Sequence, residues 1–303
     1  MENNNITLKK SYRLNNGIDM PAIGLGSADL KDKDAIVRGI MQAGYRHIDT
    51  ATVYNNEHIV GEALAECFAQ GLKREDIFVV TKLWHSGYND VEGTIKKSLE
   101  LLKLDYIDLY LIHWPLGYYA DPKKPLHVLW PELEALVGKG LTKSIGVSNF
   151  NVQLLWDLLT YAKIKPVCNQ IELNPQCVQN ELVKFLHAKE IRPVAFTPVA
   201  RPGAVEKGDK LCPPDWPDLR NDPYLQSLAK KYNKSVVQVM LNWGLCKGHV
   251  VIPKATQLQN QLDNLNVFDF QLTEEEITTV EKMDGRIRLC NKFELFEKFD
   301  CYA

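Results

Sequence analysis

The stretch IFVVTKLWHSGYNDVEGTIKKSLELLKLDYIDLYLIH, residues 77–113, contains a complete strand–helix–strand unit. The apolar runs at 77–82 and 107–113 have the length of strands, and residues 90–103 between them show the apolar spacing of a helix. The apolar runs are continuous rather than alternating, as expected for parallel strands that are covered on both faces. The stretch therefore predicts two parallel strands joined by a helix.

The same unit recurs along the whole chain. We predict eight strands, at residues 22–26, 46–49, 77–82, 107–113, 143–148, 168–172, 192–197 and 249–253. Helices are predicted at residues 32–44, 57–70, 90–103, 127–139, 151–162, 178–189, 235–246 and 256–265. Among α/β folds, eight such units favour a closed (β/α)8 TIM barrel over a doubly wound open sheet. We therefore predict a single barrel domain that spans residues 1–303.

Three segments lie outside this repeat. Residues 11–21 have the pattern of an N-terminal β-hairpin with an Asn-Gly turn, which we expect to close the bottom of the barrel. Residues 273–284 begin with a Thr and a Glu in capping-box spacing, so an extra helix is predicted after the barrel. An aromatic-rich C-terminal loop follows at residues 285–303.

The composition narrows the class of protein. With 45% hydrophobic and 24% charged residues, the chain can form a sizeable core, and its net charge of -2 gives no reason to expect nucleic acid or an anionic membrane as partner. The N-terminal MENNNITLKK lacks the apolar segment of a signal peptide, which indicates a cytoplasmic protein. Seven cysteines without a CxxC pair argue against a disulfide framework and a thiolate metal site.

Polar residues occupy the ends of consecutive predicted strands. Asp49, Lys82 and His113 end the second, third and fourth strands, and Tyr54 lies in the loop after the second. Because the C-terminal ends of the strands carry the active site of a TIM barrel, we expect these side chains to meet there.

This set suits proton donation to an oxyanion. A tyrosine with a pKa of ~10 is a weak acid at neutral pH, but an ammonium ~4 Å away is worth roughly 4 kcal/mol at an effective dielectric of ~20. We therefore predict that Lys82 lowers the pKa of Tyr54. Asp49 would keep Lys82 ionised, and His113 would orient the substrate oxygen.

Each of these residues also has a structural explanation. Asp49 and Lys82 suit a structural ion pair, His113 a core histidine, and Tyr54 a surface aromatic. Their convergence at neighbouring strand ends favours the catalytic interpretation over these alternatives.

Two motifs resemble the aldo-keto reductase family, in particular its aldose-reductase-like branch. They are GYRHIDTATVYNNEHIVG at residues 44–61 and KSIGVSNF at residues 143–150, and the resemblance covers essentially the whole chain. It implies a catalytic tetrad of Asp49, Tyr54, Lys82 and His113. It also implies that the protein reduces aldehydes or ketones to alcohols with NADP(H), and that Tyr54 protonates the carbonyl oxygen as a nicotinamide delivers hydride.

The cofactor is not expected in a Rossmann site, because Asp29 stands where the third glycine of GxGxxG would follow Gly24 and Gly26. The resemblance implies instead a dinucleotide lying across the strand ends. The residues implied to bind it are Asp49, Ser148, Asn149, Gln170, Phe196, Thr197, Val199, Lys254, Ala255, Asn260, Asp263 and Asn264.

By resemblance, Ser148, Asn149 and Gln170 bind the nicotinamide carboxamide, and Phe196 stacks on the ring. The alternatives are that Ser148 and Asn149 cap the helix starting near Asn151, that Gln170 fills a polar layer of the barrel, and that Phe196 is a core residue.

The implied 2'-phosphate site departs from the family pattern. Lys254 stands where the family holds the phosphate, but Ala255 replaces the usual Ser or Thr, and Asn260 stands where an arginine is common. Loss of one charge-assisted contact would cut the preference for NADPH by about 10 to 100 fold. We therefore predict that the protein uses NADPH and also NAD(H).

The long irregular segment 199–222 follows the seventh strand, and loops of this length are usually functional. By resemblance it could fold over the cofactor pyrophosphate, with Arg201 or Lys207 supplying the missing positive charge. A solvated charged loop is the alternative for these two residues.

Aromatic residues beside the tetrad predict the walls of a substrate pocket. The pocket residues implied by the resemblance are Val53, Tyr54, Trp84, His113 and Trp114. Further candidates, for which packing is the alternative, are Trp216, Leu289, Cys290 and Phe293. Ala28 stands where the branch usually has tryptophan, which predicts a wider pocket.

Two other functions remain open at this point. Some proteins of this fold are nucleotide-binding regulatory subunits of channels, which would show an appended N-terminal segment and slow turnover. A metal-dependent hydrolase would need clustered histidines or carboxylates at the strand ends, and the seven histidines are dispersed. The partner we expect is a small carbonyl compound of unspecified identity, and the resemblance implies a monomer.

Overall fold

A computed structural model of the protein describes residues 8–209 and 212–290. The strands are β1 (Ser11–Arg13), β2 (Asp19–Pro21), β3 (Leu25–Gly26), β4 (His47–Asp49), β5 (Phe78–Leu83), β6 (Leu109–Ile112), β7 (Ile145–Ser148), β8 (Cys168–Glu172), β9 (Arg192–Phe196) and β10 (Val250–Val251). The α-helices are α1 (Lys33–Arg38), α2 (Glu57–Ala69), α3 (Val91–Leu102), α4 (Leu126–Gly138), α5 (Val152–Tyr161), α6 (Asn180–Ala188), α7 (Pro223–Tyr232), α8 (Val236–Cys246), α9 (Leu258–Leu265) and α10 (Glu274–Glu281).

Strands β3 to β10 form one sheet in which each strand pairs in parallel with the next one along the chain. The two edges of this sheet meet, since Ile23 forms a parallel bridge with Val251. At this seam Gly24 N donates to Val251 O (2.9 Å), and Val251 N donates to Ala22 O (2.9 Å). The sheet is therefore closed, and the predicted (β/α)8 barrel is confirmed.

The strands at the seam are shorter than predicted. The runs at 22–26 and 249–253 pair as regular strands only over Leu25–Gly26 and Val250–Val251, because the seam itself is held by a single bridge and a few hydrogen bonds. His113 likewise lies just beyond β6 rather than within it. Its N–H still donates to Leu83 O (3.0 Å), so the sheet continues to hold its backbone.

The N-terminal hairpin is present as predicted. Strands β1 and β2 pair antiparallel around a turn in which Gly17 has a φ of +85°, a conformation that favours glycine. Met20 is fully buried in the main core, and the Tyr12 hydroxyl donates to Leu245 O (3.0 Å). The hairpin therefore packs against the barrel.

Two helices lie outside the repeat, of which only one was predicted. Helix α10 begins with the expected capping box between Thr273 and Glu276. Helix α7 was missed, because it buries only three residues and packs beside α8 rather than on the sheet. Its signals were present, with Asp222 as N-cap, Pro223 at the first position and a left-handed residue, Asn233, at its end. None of the described helices is long and apolar enough to span a membrane.

The core has two parts. The main cluster surrounds the barrel strands, and a second cluster joins α7, α8 and α10 to the long loop after β9. Large residues of the second cluster are Trp216, Leu219, Trp243, Leu272 and Leu289. The loop and the C-terminal segment are thus packed on one common apolar base.

His47, at the start of β4, is buried under the hairpin. Its Nδ1 lies 3.3 Å from Pro21 O, which requires the ring proton on Nδ1 because a carbonyl only accepts. A Cβ on Gly24 would lie 2.6 Å from this nitrogen, so the ring is tightly enclosed. Burial lowers the pKa of His47 to about 4.

This burial predicts a pH-dependent loss of stability. Below the unfolded-state pKa of ~6.5 the unfolded chain binds a proton that folded His47 does not, so stability falls as the pH drops towards the folded pKa of about 4. Relative to His47→Asn, which keeps a donor for Pro21 O, the wild type should lose about 3 kcal/mol of unfolding free energy between pH 7.5 and 4. Chemical denaturation at both pH values measures this. The exposed His58→Asn is the control, and parallel pH curves for wild type and His47→Asn would contradict the assignment.

Candidate active site

A buried ion pair joins the C-terminal ends of β4 and β5. Lys82 Nζ donates to Asp49 Oδ1 (2.5 Å) and to Thr50 O (2.7 Å), and the side chains of Lys82 and Asp49 are 0% and 3% exposed. Burial lowers the pKa of Lys82, and the negative charge of Asp49 opposes this shift. Each charge of the pair compensates the other, whereas burial of a single unpaired charge would cost much free energy.

Gln170 brings β8 to the same ion pair. Its Nε2 donates to Asp49 Oδ2 (2.7 Å), so both carboxylate oxygens are engaged. Gln170 itself is buried. The described structure thus shows Gln170 within a polar layer of the barrel interior, next to the residues implied to hold the nicotinamide.

Tyr54 follows β4 in a short 3-10 turn, Thr52–Tyr54. The turn is fixed because Thr52 Oγ1 donates to Lys82 O (3.0 Å) and Tyr54 N donates to Ala51 O (3.1 Å). The Lys82 ammonium lies 5.1 Å from the centroid of the Tyr54 ring. The structure therefore brings the phenol and the ion pair together, as the sequence predicted.

The electrostatics of Tyr54 differ from the prediction. Desolvation, with the charge of Asp49 as the next cause, raises the pKa of Tyr54 well above its ordinary value. The expectation that the pKa of Tyr54 is lowered was wrong for the ligand-free protein, because desolvation of the buried phenol raises it. The phenol is therefore protonated at neutral pH and available as a proton donor.

His113 faces the tyrosine. Its ring centroid lies 5.6 Å from that of Tyr54 at an interplanar angle of 84°, and the Trp84 ring lies 5.2 Å from His113 on another side. Asn149 Nδ2 donates to His113 O (3.0 Å). The rings of Tyr54, His113 and Trp84 thus form one cluster.

The remaining predicted wall residues differ in exposure. Val53 is 37% exposed beside Tyr54, whereas Trp114 is 3% exposed, and its carbonyl accepts a hydrogen bond from the Tyr88 hydroxyl. Trp114 is therefore anchored more firmly than Val53.

Several hydrogen-bonded polar residues lie at the C-terminal ends of β7 and β8. Ser148 Oγ donates to Gln170 O (2.7 Å), and Asn149 Nδ2 donates to Ser148 Oγ (3.1 Å). The N-cap of α5 is Asn151, whose Oδ1 accepts from Leu154 N (2.9 Å). The alternative that Ser148 and Asn149 cap this helix is therefore wrong, and their side chains donate instead to Gln170 O and His113 O.

The end of β9 supplies the next predicted cofactor residues. Phe196 and Val199 are partly exposed and pack on the main core, and Thr197 between them has a φ of +51°. Asn174 Nδ2 donates to Thr197 O (3.3 Å), which supports this turn. Phe196 is thus a packed residue that keeps an accessible surface.

The implied 2'-phosphate site lies beyond β10. Lys254 is half exposed, and its Nζ is 3.9 Å from Asp29 Oδ2 in the loop after β3. Ala255 is buried, and its carbonyl accepts from Gln261 Nε2 (3.0 Å). Asn260 is exposed in the first turn of α9.

The two residues implied to contact adenine follow on α9. Asp263 Oδ1 accepts from Gln259 Nε2 (2.9 Å), and Asn264 is 4% exposed. Asp263 is therefore the more accessible of the two.

The two charged residues considered in the long loop after β9 have different surroundings. Arg201 Nε donates to Asp209 Oδ2 (2.7 Å), so its charge is already paired, whereas Lys207 is exposed and its Nζ lies 3.3 Å from Pro202 O. Trp216 is 6% exposed, and its Nε1 donates to Ala200 O (3.0 Å). Trp216 is therefore a packing residue of the loop, as the alternative held.

The C-terminal segment reveals a residue that the sequence analysis missed. Leu289 is buried in the second cluster, Cys290 N donates to Glu172 Oε2 (2.8 Å), and Phe293 lies outside the described residues. Glu172 is the polar residue that ends β8, so the rule that selected Asp49 and Lys82 would also have selected it.

Among the described residues, no group of three His, Cys, Asp or Glu side chains could hold a metal ion.

Comparisons with known proteins show the family of this chain. The model of the Aldo/keto reductase family matches residues 16–284. "Aldose reductase C" of Dictyostelium discoideum is 39% identical, with 97% of this chain and 96% of that protein covered. "NADP-dependent D-sorbitol-6-phosphate dehydrogenase" of Malus domestica is 40% identical, with 91% and 94% covered.

A solved structure has the same fold. The crystal structure of a Bombyx mori aldo-keto reductase in complex with NADP matches with a TM-score of 0.87 and 36% sequence identity, over 96% of this chain and 97% of that one. The resemblance carried by the two sequence motifs is therefore confirmed. This chain belongs to the aldo/keto reductase family.

Proposed function

We propose that this protein is an NADPH-dependent reductase that converts aldehydes or ketones to alcohols, with Tyr54 as the proton donor. The observation that carries this proposal is the convergence of Tyr54, His113 and the buried Lys82–Asp49 pair at one end of the barrel. This set contains an acid, an imidazole that can form hydrogen bonds and a fixed positive charge. Such groups stabilise an oxygen that becomes negative during the reaction.

The described residues fit a nicotinamide dinucleotide. Ser148 and Asn149 offer buried amide and hydroxyl groups suited to a carboxamide, Phe196 keeps an accessible face, and Lys254 offers a positive charge. A reduced nicotinamide supplies the hydride for such a reaction. The NADP bound by the Bombyx mori relative and the printed name of the Malus domestica relative support this choice of cofactor.

The chain's own residues would act on the carbonyl oxygen. Tyr54 and His113 both face this position, so each can donate or share a hydrogen bond with it. Tyr54 transfers its proton as negative charge develops, which leaves a phenolate. The Lys82 ammonium, 5.1 Å from the centroid of the Tyr54 ring, is held beside the phenol before the reaction, so no reorganisation is needed. Its attraction for the phenolate offsets part of the cost of a buried negative charge.

Removing the phenol hydroxyl tests this mechanism. Tyr54→Phe keeps the ring and its packing, and kcat should fall by about 100 to 10,000 fold because the general acid is lost. The absorbance of NADPH is followed with a panel of aldehydes, and cofactor binding is measured separately by fluorescence. The exposed Tyr118→Phe is the matched control. Unchanged turnover in Tyr54→Phe would refute the proposed mechanism.

The cofactor site supports use of NADH beside NADPH. Asn260 offers no positive charge at an exposed position of the first turn of α9. Asp29, whose side chain is 88% exposed, places a carboxylate 3.9 Å from Lys254. A carboxylate next to the lysine would repel a 2'-phosphate, and it could instead accept a hydrogen bond from a ribose hydroxyl.

The loop that carries Asp29 is held in place. Asn56, two residues beyond Tyr54, donates from Nδ2 to Ser27 O (2.7 Å) and Leu30 O (3.1 Å). Asp29 itself has a φ of +59°. The backbone that carries Asp29 is therefore held beside Lys254.

Two substitutions test the cofactor preference. The wild-type ratio of kcat/KM for NADPH over NADH should lie below about a thousand, since one charge-assisted contact is missing. Asn260→Arg should raise this ratio by about 10 fold or more, and Asp29→Asn should raise it by about 3 fold or more. Thr278→Arg, which adds the same charge at an exposed site on α10, is the control. A wild-type ratio above a thousand would contradict the prediction.

Ala28 provides a test of pocket width. It is partly exposed in the fixed Ser27–Leu30 turn, at the position where the resemblance implies tryptophan. Ala28→Trp should raise the KM for a bulky aromatic aldehyde several fold, while the KM for propanal stays within about two fold, because added volume excludes the larger molecule. Steady-state kinetics with both aldehydes measure this, and an unchanged KM for the bulky one would count against the wide pocket.

A further inference from the structure

The turn that carries Tyr54 is closed by a hydrogen bond between two buried side chains. Thr50 Oγ1, directly after β4, donates to Asn56 Oδ1 (2.9 Å), and the two residues are 0% and 2% exposed. The carbonyl oxygen of Thr50 accepts from Lys82 Nζ (2.7 Å). Asn56 therefore attaches the far end of the Tyr54 turn to a residue that also binds the lysine of the Lys82–Asp49 pair.

The amide nitrogen of Asn56 holds a second segment. Asn56 Nδ2 donates to Ser27 O (2.7 Å) and to Leu30 O (3.1 Å) in the loop after β3. Because a carbonyl oxygen only accepts, these two contacts also determine how the amide is oriented. The loop forms a turn of its own, in which Leu30 N donates to Ser27 O (2.8 Å). One side chain thus joins the Tyr54 turn to the loop that carries Asp29.

Asn56 does not have the usual role of an asparagine at its position. It is the N-cap residue of α2, where an asparagine side chain normally accepts from a backbone N–H of the first helical turn and stabilises the helix. The Asn56 side chain makes no such bond. The start of α2 is anchored instead by Glu57, whose carboxylate accepts from Thr81 Oγ1 (2.6 Å) and Ser98 Oγ (3.2 Å). The Asn56 amide therefore supports the turn and not the helix.

The middle of the turn depends on its two ends. Val53 and Asn55, on either side of Tyr54, are exposed, so their packing adds little restraint. Thr52 fixes the first half of the turn through its hydrogen bond to β5, and Asn56 fixes the end. A shift of a catalytic group by about 1 Å can cost about 100 fold in rate. The position of the Tyr54 hydroxyl is therefore sensitive to the contacts of Asn56.

We infer that Asn56 is a positioning residue that keeps Tyr54 at a fixed spacing from the Lys82–Asp49 pair and from the Ser27–Leu30 loop, so that the phenol is aligned for proton transfer. The inference rests on the proposed reductase function. Asn56 acts through the backbone of the two segments that it joins and not on the substrate itself.

Kinetics of Asn56→Ala test this, because the change removes every hydrogen bond of the side chain. The kcat with propanal should fall by about 10 to 100 fold, while the KM for propanal and the Kd for NADPH stay within about three fold, since misalignment slows the reaction more than it weakens binding. The solvent isotope effect on kcat, measured in H2O and D2O, should rise because the slowed step moves the Tyr54 proton.

A matched control separates positioning from stability. Asn242 on α8 is also buried, and its Nδ2 donates to Val267 O (2.9 Å) and Phe270 O (2.8 Å). Asn242→Ala should therefore lose stability in chemical denaturation as Asn56→Ala does, but its kcat should stay within about two fold of wild type.

Asn56→Ser separates positioning from helix capping. Serine is a good N-cap residue for α2, but a hydroxyl has one donor and cannot replace both bonds to Ser27 O and Leu30 O. The kcat of Asn56→Ser should therefore be as low as that of Asn56→Ala.

Hydrogen exchange provides a readout that does not depend on activity. In Asn56→Ala the amides of Leu30, Tyr54 and Asn55 should exchange at least about 10 fold faster than in wild type, because their hydrogen bonds lie in the two segments that Asn56 joins. Peptides from α5 should exchange at the wild-type rate, which verifies that the variant is folded. If Asn56→Ala does not fold, Asn56→Ser carries the same kinetic and exchange measurements.

The outcomes separate the two proposals. An unchanged kcat in folded Asn56→Ala, recovery of kcat in Asn56→Ser, an equal loss of kcat in Asn242→Ala, or unchanged exchange in both segments would overturn the role of Asn56 and leave the reductase function intact. A wild-type protein that is inactive with every aldehyde would overturn the reductase function and, with it, the catalytic role of Asn56.

Discussion

The buried Lys82–Asp49 pair is the interaction on which the site depends. An ammonium and a carboxylate that are almost completely buried must be fully hydrogen-bonded, because leaving one charge unpaired costs about 3 to 5 kcal/mol. Thr50 O accepts from Lys82, and Gln170 Nε2 donates to Asp49. The strands β4, β5 and β8 must therefore end at matching heights. Closure of the barrel at the Ile23–Val251 bridge makes this convergence possible.

The same pair helps to set the protonation state of Tyr54. A phenol whose resting pKa was lowered to neutrality would be partly deprotonated before substrate arrived. In the ligand-free protein, desolvation and Asp49 instead keep it protonated. The Lys82 ammonium lies 5.1 Å from the centroid of the same ring, where a cation attracts a phenolate more strongly than a neutral phenol.

Local periodicity was enough to predict the barrel and the positions of Asp49, Tyr54, Lys82 and His113, since each follows from a strand and its end. Features that depend on distant contacts were not accessible in this way. Glu172 and Cys290 are 118 positions apart, and the sign of the Tyr54 pKa shift depends on burial that only the packed barrel creates. Helix α7 was missed because it packs on helix α8 and not on the sheet.

Strand β8 carries buried side chains at successive heights of the barrel interior. Cys168, Gln170 and Glu172 lie on the same face of the strand, two residues apart. Cys168 is buried near the ion pair, Gln170 contacts Asp49, and Glu172 accepts from Cys290 N. The pleat of a single strand explains this arrangement, since a step of two residues carries the side chain from the ion-pair layer to the outer end of the strand. The same strand therefore supports the Lys82–Asp49 pair and holds the backbone of the chain at residue 290.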